Sequence, residues 1–135
     1  MKEMTIEAKT ENLPIVTAWI EKALEEIDCP MKNQAQIDVA IDELFGNIAH
    51  YAYAPGTGEA TVRFAFDADT RTVSITFLDS GIPFDPLSQA APDINAPAEE
   101  RAVGGLGIYL VRKTMDRVDY RYADGKNILT IQKCI

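Results

Sequence analysis

The chain has 135 residues, 47% hydrophobic and 25% charged, with a net charge of −8 and a pI near 4.6. That length supports one substantial core and strains any two-domain division, so residues 1–135 are expected to form a single domain. The composition is that of a globular chain rather than a disordered or membrane-embedded one, and its acidity argues against nucleic-acid binding, because an extended phosphate backbone would be repelled over most of the surface.

No apolar run approaches the roughly 20 residues that span a bilayer, and Met1-Lys2-Glu3 leads into alternating residues rather than a secretory segment. A cytoplasmic location without membrane attachment is expected. Cys29 and Cys134 have no CxxC spacing and are read as reduced, structural thiols.

In chain order, Met4 to Thr10 alternates Met4, Ile6 and Ala8 against Thr5, Glu7 and Lys9, as a half-buried strand does. Asn12 stands where an N-cap is expected, and Pro14 falls early in the next helix, where a missing N–H costs little. Ile15, Val16, Trp19, Ile20, Ala23, Leu24 and Ile27 give that helix an apolar side, which Asp28-Cys29-Pro30 ends. Trp19 reads as core or interface. A second helix is predicted from about Asn33 to Tyr53, with Ile37, Ile41, Leu44, Phe45 and Ile48 at helical spacing. Glu43 and Asn47 are four residues apart, so a carboxylate and a side-chain carbonyl share one face and can converge on one ligand. Taken alone, this helix is better described by a solvated polar face than by a site.

Ala54-Pro55-Gly56-Thr57-Gly58 is a turn cluster. Ala60 to Phe66 and Thr72 to Leu78 then alternate as an antiparallel hairpin, and the second strand runs directly into Asp79-Ser80-Gly81-Ile82-Pro83-Phe84-Asp85-Pro86. Between Pro83 and Val103 periodicity is lost and four of the chain's seven prolines occur, which predicts a binding lid or a disordered segment. The lid closes on Gly104-Gly105-Leu106-Gly107, where a glycine-opened helix would offer free N–H groups and a partial positive charge to a phosphate. Val118, Tyr120 and Tyr122, a turn at Asp124-Gly125, and Leu129 and Ile131 make a closing hairpin. The segregation of strands and helices predicts an α+β fold, a two-layer sandwich with a mostly antiparallel mixed sheet and three helices on one face.

Three places could carry chemistry: Glu43 with Asn47, Asp79 with Gly81, and Gly104 to Gly107. None is specific alone, and neither a Walker A loop nor a full GxGxxG is present. Their order is more informative. Glu43-Leu44-Phe45-Gly46-Asn47-Ile48-Ala49-His50 resembles the N-box of the ATP-binding fold shared by DNA gyrase, heat-shock chaperones and sensor histidine kinases, the GHKL or Bergerat-type fold. Asp79 to Pro86 resembles its first glycine box and Gly104 to Gly107 its second. Within that fold the chain is most similar to the small serine/threonine kinases that act as anti-sigma factors, over nearly its whole length.

The resemblance implies a set of roles. Asn47 would hold Mg²⁺ through its side-chain oxygen, Asp79 would accept the amino hydrogen of adenine, and Gly81 would let the purine lie against the backbone. Gly104, Gly105, Leu106 and Gly107 would fold over the triphosphate of ATP, and Glu43 would act as general base toward a serine hydroxyl. Arg101 is placed either on the γ-phosphate or in solvent. Where the family often has an adenine-binding threonine this chain has Lys126 and Asn127, and Asn127 could serve instead as hydrogen-bond partner. His50, the only histidine, reads as structural. The implied activity is Mg-ATP-dependent phosphorylation of a small anti-sigma antagonist, with sequestration of a sigma factor, in a possible homodimer. The alternative is a non-catalytic nucleotide-dependent binding module. The ATP-binding piece of a histidine kinase fits less well, since it needs a separate phosphoacceptor helix.

Overall fold

The computed structural model describes residues 1–88 and 105–135. The expectations placed on Arg101, on Gly104 and on most of the 83–103 lid therefore lie outside the described residues.

Five strands, β1 (Lys2–Glu7), β2 (Glu59–Asp67), β3 (Thr72–Asp79), β4 (Arg117–Ala123) and β5 (Lys126–Cys134), form one sheet in the order β1-β2-β3-β5-β4. Three helices, α1 (Leu13–Glu26), α2 (Met31–Asn47) and α3 (Gly105–Thr114), complete the two-layer α+β sandwich. Every described pairing is antiparallel, so the sheet is not mixed. For two of the four pairings the reason is local: β2–β3 and β4–β5 are hairpins, and a short connection can only join antiparallel strands, whereas β1–β2 and β3–β5 pair across long connections. In the β4–β5 turn Asp124 (φ 55°) and Gly125 (φ 74°) both take positive φ, the backbone that a two-residue hairpin loop requires.

Alternation decides the layers. Ala60, Val62 and Phe64 of β2, Val73, Ile75 and Phe77 of β3, and Leu129 and Ile131 of β5 are buried on one face. They join Val16, Ile20 and Leu24 of α1, Ile37, Ile41, Leu44 and Phe45 of α2, and Ile108 and Val111 of α3 in a single core. The opposite face is polar: Thr5 and Thr61 share a hydroxyl hydrogen bond of 2.9 Å, Thr76 and Thr130 one of 3.1 Å, and Arg63 reaches Glu3 at 2.6 Å. A face satisfied by its own cross-strand polar pairs has no need of a second helical layer.

Two sequence expectations are corrected in detail. Asn12 precedes α1, but its side chain makes no cap; a short 3₁₀ turn at Thr10–Asn12 gives it helical dihedrals, and its amide donates back to Glu7 O at 2.9 Å. The second helix, expected to run to Tyr53, is regular only to Asn47 and continues as one wide π-type turn, Ile48–Ala52. Trp19 packs against the core, and both cysteines are free thiols. Among the described residues no helix is long and apolar enough to cross a membrane.

Candidate active site

The same period of two that buries Val73, Ile75 and Phe77 puts Asp79, at the end of β3, on the helix-facing side. Register places Asn127 of β5 opposite Asp79, and Tyr120 of β4 opposite Leu129. Polar groups thus replace apolar ones at one end of the inner face. Asp79 and Asn127 are each only 6% exposed, the two buried polar residues of the described chain.

Over this end of the sheet stands the wide turn that closes α2. Asn47, Ile48, Tyr51 and Ala52 on one side, with Phe77, Asp79, Ile82, Phe84, Tyr120 and Asn127 on the other, enclose an open cleft of about 470 Å³, counting the solvent at its mouth. Its walls are apolar and aromatic with a few convergent polar groups, the character of a small-molecule site.

The loop after β3 is held from two sides. Ile82 N donates to Ala52 O at 2.9 Å, and Gly81 packs so closely beneath that carbonyl that a Cβ would overlap Ala52's backbone. Across the cleft, Asn127 Nδ2 donates to Asp79 Oδ1 (2.9 Å) and to Ile82 O (2.8 Å), while its Oδ1 accepts from Phe84 N (3.1 Å) and Tyr120 Oη (2.5 Å). Gly81 N also donates to Asp79 Oδ1, at 2.9 Å. Farther out, Tyr53 Oη accepts from Ser80 N at 2.8 Å and donates to Glu59 O at 2.6 Å, which ties the loop to β2.

Glu43 and Asn47 sit one helical turn apart, as the spacing predicts, with Asn47 Nδ2 directed at Glu43 Oε1 across 3.5 Å. That orientation leaves the Asn47 carbonyl oxygen to act on the cleft. Burial is the main cause that raises the Glu43 carboxyl above its ordinary value; the Asn47 amide opposes the shift and the charge of Asp42 adds to it. Gly105, Leu106 and Gly107 form the first turn of α3, and Gly107 lies against the Glu43 carboxylate.

The sequence-predicted residues Glu43, Asn47, Asp79, Gly81, Gly107 and Asn127 are therefore brought to one end of the sandwich. Asn127 stands behind Asp79, with both its donors and both its lone pairs engaged. His50 does not line the cleft; it is exposed, with its ring tilted against Tyr51 at 6.0 Å, so the structural role expected of it is not one of core packing. Tyr120, Phe84 and Ala52 are the residues that sequence reasoning passed over. Strand alternation and hairpin register carry the signal for Tyr120, whereas nothing local marks Ala52.

Comparison with known proteins identifies the family. The family described as "Histidine kinase-like ATPase domain" matches residues 6–133, and the chain belongs to that family. It is 30% identical over 131 residues to the serine-protein kinase RsbW of Bacillus cereus (strain B4264), spanning 94% of this chain and 81% of that protein. Against RsbW of Bacillus mycoides (strain KBAB4) the identity is 29% over the same span. Among solved structures, the RsbU and RsbW domains of Rv1364c from Mycobacterium tuberculosis superpose with a TM-score of 0.67 at 18% identity, over 98% of this chain and 32% of that one. The histidine kinase domain of Erythrobacter litoralis EL346 superposes with a TM-score of 0.55 at 13% identity, over 90% of this chain and 60% of that one. At those identities the two structures bear on the fold alone. The domain is an ATP-binding one of the serine-kinase branch.

Proposed function

We propose that this chain is an Mg-ATP-dependent protein serine/threonine kinase and anti-sigma factor: it phosphorylates a small antagonist protein and, when the antagonist is absent or already phosphorylated, sequesters a sigma factor. The observation that carries the reading is that the buried carboxylate of Asp79 and the Asn47 side chain line one apolar cleft, with Glu43 one helical turn from Asn47, in a chain similar along most of its length to serine-protein kinases.

Asp79 accepts the exocyclic amino group of adenine, and Gly81 keeps the backbone low enough for the base to lie on it. The Asn47 side-chain oxygen fits Mg²⁺. Among the described residues no group of three or more His, Cys, Asp or Glu is placed to hold a metal. One hard oxygen ligand is nevertheless what a largely hydrated ion shared with phosphates asks of the protein. Bound there, Mg²⁺ would neutralise phosphate charge. The first turn of α3, which opens at Gly105, offers N–H groups to the phosphates, and by the family resemblance Gly104 and Arg101 would contribute to the same phosphate site. Glu43 takes the proton from the serine hydroxyl whose oxygen attacks the γ-phosphorus, and ADP leaves. Burial suits Glu43 to this role, because a carboxylate with a raised pKa is the stronger base. A single domain working in the cytoplasm accords with these roles. On α1, Ile15 is 51% exposed and Trp19 only partly buried, an apolar surface that supports pairing of two copies.

Incubation with Mg-ATP and a cognate antagonist tests the proposal. Phosphoserine or phosphothreonine should form with wild type and not with Glu43→Ala; if the two proteins behave alike and neither turns over, the chain is a binding module instead.

A further inference from the structure

Asp79 does not stand alone in the cleft. Its Oδ1 already receives two N–H groups, from Gly81 and from Asn127. The amide that supplies the second has only one possible orientation. Phe84 N–H can only donate and Ile82 C=O can only accept, so Asn127 must turn its oxygen to the first and its NH₂ to the second. A flipped amide would set oxygen against both Ile82 O and Asp79 Oδ1. Because Asn127 Oδ1 only accepts, the Tyr120 hydroxyl, 2.5 Å away, has to be the donor. The bonds therefore run one way, from Tyr120 to Asn127 to Asp79. Burial, first among the causes, raises the Tyr120 pKa and keeps that hydroxyl protonated.

We infer that Tyr120 and Asn127 are a positioning pair that sets base specificity, an inference that rests on the nucleotide-binding reading above. They fix the Asp79 carboxylate so that it meets the base as an acceptor, through the oxygen that Gly81 and Asn127 do not use. A 6-amino purine places its donor there. A 6-oxo purine carries a carbonyl at that position and its donor at the neighbouring ring nitrogen, which Asp79 could reach only by swinging its carboxylate. Asn127 also clamps both Ile82 O and Phe84 N, so the loop cannot follow such a swing. Selectivity lies in the lock rather than in the carboxylate alone.

The test is calorimetric titration of the full chain with ADP and with inosine diphosphate, in the presence of Mg²⁺, for wild type, Tyr120→Phe and Asn127→Ala. Wild type should prefer ADP. Loss of one bond in a charge-linked network should weaken ADP by about tenfold in Tyr120→Phe while inosine diphosphate changes little, so the preference shrinks by about the same factor. Asn127→Ala should shrink it further; Tyr120→Phe, which removes a single hydroxyl, keeps the test open should that variant fold poorly. If wild type prefers ADP and Tyr120→Phe weakens both ligands equally, or neither, the inference fails while the nucleotide site stands. If wild type binds neither ligand, both fall together.

Discussion

The Glu43 carboxylate lies directly against Gly107: a Cβ on that glycine would overlap the carboxylate, with Oε1 only 2.7 Å away. The first turn of α3 and the proposed general base thus share a space that only a residue without a side chain leaves open. Glycine at 107 is set by Glu43 as much as by any phosphate. Movement of α3 over the nucleotide would be felt at once by Glu43, since the two surfaces are already in contact.

Gly107→Ala should therefore damage catalysis more than folding. A helical Gly→Ala change ordinarily stabilises by up to about 1 kcal/mol, which offsets part of the overlap. The methyl group must still displace the Glu43 carboxylate. Phosphotransfer measured alongside ADP titration should show kcat reduced by about tenfold or more with ADP affinity retained, since a misplaced base forfeits much of its contribution. Unchanged kcat would mean that Glu43 is not held where it works.

Glu43→Gln should lower phosphotransfer by about 10²–10⁴-fold, the usual contribution of a positioned base, and leave ADP binding unaltered. The wild-type rate carries a further sign. Only the ionised carboxylate accepts a proton, so activity falls as pH drops through the Glu43 pKa. Burial, and then Asp42, lifts that pKa, so the acid limb of the profile should lie above the ordinary glutamate value of 4.5. A limb at or below that value contradicts the assignment.

Asp38 on α2 faces Glu21 on α1, and its Oδ1 is buried with no hydrogen-bond partner. Burial first, and then Glu21, raise the Asp38 carboxyl from 3.8 to about 6. A carboxyl whose folded pKa is raised contributes stability below its unfolded pKa and loses it as pH rises through the folded one. Asp38→Asn, which mimics the protonated form, should raise stability at pH 7.5 by about 1 kcal/mol after solvent screening, or roughly 3–5 °C in Tm. Below pH 3.8 the advantage should vanish. Thermal melts across pH decide it; an advantage of equal size at both ends would rule out titration as the cause.

Two glycine substitutions should separate packing from backbone freedom. At Gly81 a Cβ would strike the Ala52 backbone, so Gly81→Ala should cost about 2 kcal/mol or more and abolish ADP binding as the Ile82–Ala52 bond breaks. Gly125 has φ 74° and open space around it, so Gly125→Ala should cost about 1 kcal/mol through its dihedral alone and leave ADP affinity intact. Chemical denaturation and calorimetry on both variants check the contrast.

Local pattern determined a large part of this protein. Alternation in Thr72 to Leu78 and in Val118 to Tyr122 specifies strands because side chains on a pleated backbone repeat every two residues, and the Ile37 to Ile48 stripe specifies a helix because its period is 3.6. The four-residue spacing of Glu43 and Asn47 already made them neighbours. The tertiary structure alone decided the rest. Asp79 and Asn127 are 48 residues apart and meet through strand register. Gly107 reaches Glu43 only because α3 packs beside α2, and α2 gives way to a wider turn at Ile48 although the apolar stripe continues. Each of these is a distance between segments, fixed by how two faces close on a common core, and a one-dimensional pattern records the faces but not which of them meet.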